Sequence, residues 1–485
     1  MEPINPKEIK NLGVYGVIRE AEVDSNIIPD GAVSDVMNFS FDRKGVAILR
    51  PGTVNLGSTI SAGNPCLGIF NAQSKTIIAG FLTSVYNYSD SNTWDAGLTG
   101  LVSGKKSRYV DFAGRTIFIN GTADSMRVWN GSNSAGWVST GNPINPQNLY
   151  NNGAQVQPQF VEVYKSRVYV AGDSTNPDRL LFSSVISSAG NITWTPTTDF
   201  VDINPSDGEN ITGLKRYSLE LLVFKPNYIY RFRTSGSDPD PLIKIGTRSQ
   251  ESVIEGKKGL YFHHDSGFYK YTGGYPVEIS RPISDFTSNI TYANYSNVSS
   301  WKDSDHIYWF VGDVTINDPV LENQTWKNVV LRYTESSEVW TIYSYPFAIK
   351  VGTTFNNGSA LTQVVGMDNG AVATFNSGAS DLGEPIKYRV VTNWYQWEGL
   401  STLKMIQSIV AICEKAQGSL LMYRTDDEMV WHDLGQLRKF INYFMPLSIK
   451  FHRIQFKLTG VSSVEALIFK GLEIPQVLNE GIVKQ

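Results

Sequence analysis

The chain has 485 residues, 41% hydrophobic, 12% aromatic and 18% charged, and its 42 Lys and Arg against 46 Asp and Glu leave a net charge of −4. This length is too great for one simple core and points to two or three domains, or to a repeat architecture with an appendage. With no Lys- or Arg-rich run, tight nucleic-acid binding is disfavoured, because neutralising phosphates needs a basic footprint.

The N-terminus, "MEPINPKEIKNLGVYG", is polar where a secretory signal needs an apolar run. The longest apolar stretches, such as "SIVAIC" at 408–413, fall well below the ~18 residues of a membrane span. A soluble chain made in a cytosol is expected, with the N-x-S/T tripeptides reflecting a turn-rich composition. Cys66 and Cys413 make neither a disulfide framework nor a CxxC zinc pair. Residues 1–57 read as an extended arm with a compact docking unit, "NFSFDRKGVAILRPG" (38–52), that ends in an Arg-Pro-Gly turn. Residues 7–20 and 403–413 are the best candidates for a helical turn, although the second also alternates like a strand.

From residue 58 to 380 short alternating runs of β-branched and aromatic residues dominate, punctuated by Gly, Asn, Asp and Ser, which is an all-β pattern. The runs repeat. "YVDFAGRTIFING" (109–121) aligns without gaps on "FVEVYKSRVYVAG" (160–172): Val110 and Phe112 match Val161 and Val163, and Ile117 and Ile119 match Val168 and Val170. The hairpin returns at 211–224, 253–265 and 298–313, with weaker copies at 66–81 and 364–377. Taking Ile78, Phe118, Tyr169, Leu222, Tyr261 and Tyr308 as equivalent gives spacings of 40, 51, 53, 39 and 47 residues. That period, with several strands per repeat, predicts a β-propeller of about six or seven blades. Short strands ending in aromatics, such as "SMRVWNG" (125–131), "DRLLFSS" (178–184) and "NYIYRFR" (227–233), are expected as outer blade strands. After the connector "NSGASDLGEPIK" (376–387), longer and cleaner alternation predicts a C-terminal β-sandwich over 381–485, in which Ile454, Phe456 and Leu458 share a face.

Asn38, Gly45, the run "VAIL" and Arg50-Pro51-Gly52, followed by "FVEVYKSRVYVAGD…DRLLFSS", Trp194 in "ITWTP", "DINPSDGENITGL" (202–214) and the C-terminal "IKYRVVTNWYQWEG", form a pattern. It resembles the tail hub and nozzle proteins of short-tailed, podovirus-like phages, head-to-tail connectors that retain packaged DNA. The resemblance implies a structural virion protein and not an enzyme. Such a protein forms a ring, usually a hexamer, below the portal and adaptor proteins, contacts tail fibre or spike proteins, and passes double-stranded DNA without holding it tightly. A mildly acidic chain suits a conduit that must not grip phosphates.

Several residues invite chemistry. Asp173, Asp178 and Arg179 could form a glycosidase-type carboxylate pair, which makes a carbohydrate-binding or carbohydrate-cleaving propeller the alternative reading. The equivalent turn at 121–127 carries Asp124 and Arg127, so a repeated structural turn is favoured. His263 and His264 are adjacent in a strand and would point to opposite faces, unable to share one ion. Asp202, Asp207 and Glu209 lack calcium-loop spacing. No catalytic, metal or cofactor site is expected. Trp394, Tyr395 and Trp397, with Arg50, Pro51, Asp173, Asp178 and Arg179, are expected at subunit or partner contacts.

Overall fold

The computed structural model describes the chain except for residues 1, 5, 20–27, 42–44, 74–75, 90–91, 123, 125, 132–135, 139–149, 152–153, 206, 234–238, 317–323, 357–360, 398, 417, 427–428, 446, 463–466, 476 and 483–485. The fold is all-β and β-propeller-like. Seven four-stranded antiparallel sheets follow one another between Cys66 and Phe375, spanning 66–98, 108–138, 160–202, 213–243, 254–278, 299–344 and 349–375. In the first six, strands pair in chain order, so each sheet is a meander, and the third reaches its last strand through residues 183–199. The seventh takes its outermost strand from the other end of the region: Thr53–Asn55 pairs with Val372–Phe375.

Alternation explains the packing. Each sheet buries both faces against its neighbours, and the apolar clusters fall between consecutive sheets. Ile117, Ile119 and Val128 meet Val168, Val170 and Leu181 between the second and third. Leu180 and Phe182 meet Leu221 and Val223 between the third and fourth. Cys66, Ile77 and Ala79 meet Val364 and Val372, which joins the first sheet to the seventh. An axial cavity of about 270 Å³ is lined by residues from the first strands of the sheets, among them Ile69, Tyr109, Val161, Lys215, Ser300 and Gly352.

The six aligned positions Ile78, Phe118, Tyr169, Leu222, Tyr261 and Tyr308 all lie on second strands. Three details differ from the sequence reading in this region and at the N-terminus. The expected outer strands (Arg127–Trp129, Arg179–Phe182, Ile229–Phe232) are third strands; the outermost are short segments such as Phe200–Asp202 and Asp240–Ile243, which carry little alternation. Residues 364–377 hold the second and third strands of the seventh sheet, whose first strand is Ile349–Asn356. Residues 7–19 form no helix: Lys7–Ile9 is a strand followed by turns, and 403–413 falls in strands Thr402–Ile406 and Ile409–Lys415.

The strands after residue 385 lie in three sheets, and each contains N-terminal strands. Glu2–Ile4 pairs with Val477–Ile482, Lys7–Ile9 and Ala47–Leu49 with Ile468–Ile474, and Val33–Met37 with Ile386–Thr392. The described strands of residues 1–57, read as an extended arm with a docking unit, are thus paired within the chain. Their inward side chains Val36, Phe39, Ala47 and Leu49 share one core with Tyr388, Leu421, Phe456 and Phe469.

Candidate functional site

The resemblance motif folds into a buried lock. Ala47–Leu49 delivers Arg50 into the junction between the sixth and seventh sheets and the C-terminal strands, where its side chain is wholly buried. All five guanidinium N–H groups are used. Nη1 and Nη2 grip the Asp381 carboxylate at 2.9 and 2.6 Å, and Nε donates to Asn38 Oδ1 at 2.8 Å. Nη1 and Nη2 also donate to the Pro51 and Ser344 carbonyls at 3.0 Å each. The guanidinium lies 3.8 Å from the centre of the Tyr345 ring. Asn38, held at φ 65°, accepts from Ser344 N–H and donates to the Lys387 carbonyl at 2.7 Å. Gly52 is required because a Cβ there would sit 1.9 Å from the Ser380 carbonyl oxygen. At Gly45, held at φ 76°, a Cβ would sit 2.4 Å from the Asn11 carbonyl carbon. Arg50, expected at a partner contact, is therefore an internal tie whose donors are spent within the chain; only Pro51 beside it is exposed.

The acids of the third sheet are tied up in the same way. Asp173 is buried and accepts the Gln157 N–H at 3.0 Å. Asp178 pairs at 2.9 Å with Lys225, a fully buried ammonium that also binds Asp207 at 2.8 Å and the Asn204 carbonyl. Burial would push the Asp207 carboxyl up, but Lys225, the Glu209 N–H and the Asn204 amide hold it below its ordinary value. Arg179 makes a two-pronged pair with Asp202 (2.8 and 3.0 Å) and stacks on Phe200. Asp178 and Arg179 thus serve different pairs. Lys225 was missed in the sequence, although a lone Lys in "ELLVFKPNY" was the available signal.

In the C-terminal strands Tyr395 is buried, exchanges backbone hydrogen bonds with Ile454 and donates its hydroxyl to the Asp30 carbonyl at 3.1 Å. Trp397 stacks on Tyr395 and meets Phe451 edge-on. Trp394 lies between Arg424 (4.9 Å) and Arg453 (4.6 Å), and Arg424 continues to Trp431, which Lys457 also approaches. The three sequence-selected aromatics therefore do not form one platform. Tyr395 and Trp397 serve the core, and Trp394 belongs to a cation–ring ladder.

In the axial cavity Glu251 binds Arg108 at 2.7 Å and Lys106 at 3.0 Å. Burial opposes its charge, yet the two cations hold its carboxyl well below the usual range. His263 is 2% exposed and packs against Phe268 and Tyr295, and burial pushes its pKa down to about 3. In the unfolded chain an imidazole titrates near 6.5. Below that value the unfolded state binds the extra proton, so stability falls as pH drops from about 6.5 toward about 3. A His263→Phe chain should lose this component, which denaturation at pH 7 and pH 4.5 would reveal as a smaller drop than in the parent.

No protein-family model and no curated protein matches the chain. Among solved structures it is similar to the extracellular domain of the one-component system BT4673 from B. thetaiotaomicron, at 10% identity and TM-score 0.42, over 67% of this chain and 40% of that one. The AfRom2 CNH domain is similar at 8% identity and TM-score 0.39, over 67% of this chain and 99% of that one. The computationally designed Ika8 protein is similar at 9% identity and TM-score 0.37, over 66% of this chain and 99% of that one.

Proposed function

We propose that the chain is a structural virion protein of the tail hub and nozzle class, a propeller of seven blades on a C-terminal sandwich into which the N-terminal strands are woven. Copies form a ring, a hexamer on this reading, below the portal and adaptor, and contact tail fibre or spike proteins. The carrying observation is the lock itself: Asn38, Gly45, Arg50 and Gly52, the residues of the resemblance, fasten the propeller-like array to the C-terminal sheets. A part that must carry force between an adaptor and a tail tip needs such a tie between its two halves.

DNA on this reading passes through the hole of the ring and not along the axis of one chain. An axial cavity of about 270 Å³ has no room for a duplex whose major groove alone is about 12 Å wide. The carbohydrate-cleaving alternative gains nothing from Asp173 and Asp178, because they bond to a backbone amide and to a buried Lys. Incubating the purified chain with capsids that carry portal and adaptor tests the proposal. Ring-shaped assembly on the capsid vertex supports it; a chain that stays monomeric beside those capsids while cleaving polysaccharide overturns it.

A further inference from the structure

The stretch 429–445 carries an unusual density of exposed apolar side chains. Met429, Val430, Phe440, Ile441, Tyr443 and Met445 are each more than half exposed. Strand Phe440–Phe444 ends its sheet: one side pairs with Ile409–Lys415, and the other has no strand partner among the described residues. It is held firmly, because buried Asn442 accepts the Arg438 N–H at 2.6 Å and donates to the Arg438 carbonyl at 2.9 Å. Phe440 sits at φ 73°, a left-handed backbone that aromatic residues avoid. Rigid, unpaired and apolar edges invite pairing, and monomeric proteins normally blunt them. The strand is preceded by exposed Arg438 and Lys439.

A surface of opposite charge and like apolarity lies elsewhere on the chain. Beside Val277–Glu278, the outermost strand of the fifth sheet, a groove of about 420 Å³ is lined by Val277, Glu278, Ile279, Pro282, Tyr333 and Glu338, with Thr272 and with Lys270, whose ammonium lies 3.8 Å from Glu338. Val277 and the neighbouring Tyr275 are 63% and 72% exposed. Glu278 and Glu338 outnumber Lys270 in this groove, so it carries a net negative charge where the C-terminal edge carries Arg438 and Lys439.

We propose that the Phe440–Phe444 edge of one copy docks in the groove beside Val277–Glu278 of a second copy. Tyr443 and Ile441 cover Val277 and Tyr275, and Arg438 with Lys439 faces Glu278 and Glu338. Because knob and socket are different surfaces, the contact is head-to-tail, the type that closes into rings. This interface rests on the reading of the chain as a ring-forming protein.

Two full-length variants test it, Tyr443→Cys and Val277→Cys; the native Cys66 and Cys413 are buried and leave the background clean. Oxidising an equimolar mixture should give a disulfide-linked dimer that neither variant gives alone. In native mass spectrometry, Glu278→Lys with Glu338→Lys should dissolve the oligomer, and mixing that chain with Arg438→Glu/Lys439→Glu should restore mixed pairs. No cross-link in the mixture, or one equally strong with Tyr443→Cys alone, overturns the interface. Parent rings that ignore both charge reversals overturn it and leave the ring reading standing. A parent chain that stays monomeric both alone and on adaptor-bearing capsids overturns both.

Discussion

Replacing Arg50 with Ala should lower folding stability by about 3–5 kcal/mol, the usual cost of stripping one partner from a buried ion pair. The reason is local. Asp381 is 2% exposed and takes both guanidinium arms, so the variant leaves its carboxylate in an apolar junction with no cation. Asn38 and the Ser344 carbonyl lose donors at the same time. The damage is predicted at the tie between the array and the C-terminal sheets, so limited proteolysis of the variant should cut first in the connector at 376–387. Arg50→Lys keeps the charge but not the fork, and should recover only part of the loss. Arg50→Met with Asp381→Leu removes both charges and should be far less damaging than Arg50→Ala alone. Chemical denaturation reads all three; a loss under about 1 kcal/mol for Arg50→Ala would mean that the junction does not depend on the pair.

Lys225→Met should cost about 3 kcal/mol at neutral pH, since it leaves Asp178 and Asp207 facing each other's charge between the third and fourth sheets. The pH dependence follows from Asp207. Its folded pKa lies below its unfolded one, so it contributes stability above the unfolded carboxylate value of about 3.9, and that stability is lost as pH falls through the folded value. The gap between parent and Lys225→Met should therefore be widest near pH 7 and shrink below about pH 4. A gap that stayed constant with pH would assign the Lys225 effect to packing.

Local patterns were legible. The alternation of Val110 and Phe112 against Val161 and Val163 located the hairpins, because a sheet buried on both faces writes its register into every strand. The short outermost strands were not legible: "FVD" and "DPLI" are half-exposed edges with too few residues for a period. Pairings such as Glu2–Ile4 with Val477–Ile482 leave no local signal, since the two strands lie at opposite ends of the sequence. The motif around Arg50 was found, but its role was misread. Arg is rarely fully buried, and burial here requires Asp381, 331 residues away, which sequence spacing cannot supply. Lys225 was hidden for the same reason.

The most direct measurement is an electron-microscopy reconstruction of capsid particles assembled with the full-length chain. A closed ring of copies on the tail axis, with an open bore wide enough for a DNA duplex, is the predicted result. Density for the chain as isolated single copies off that axis, or no density on the particle, would contradict the proposed function.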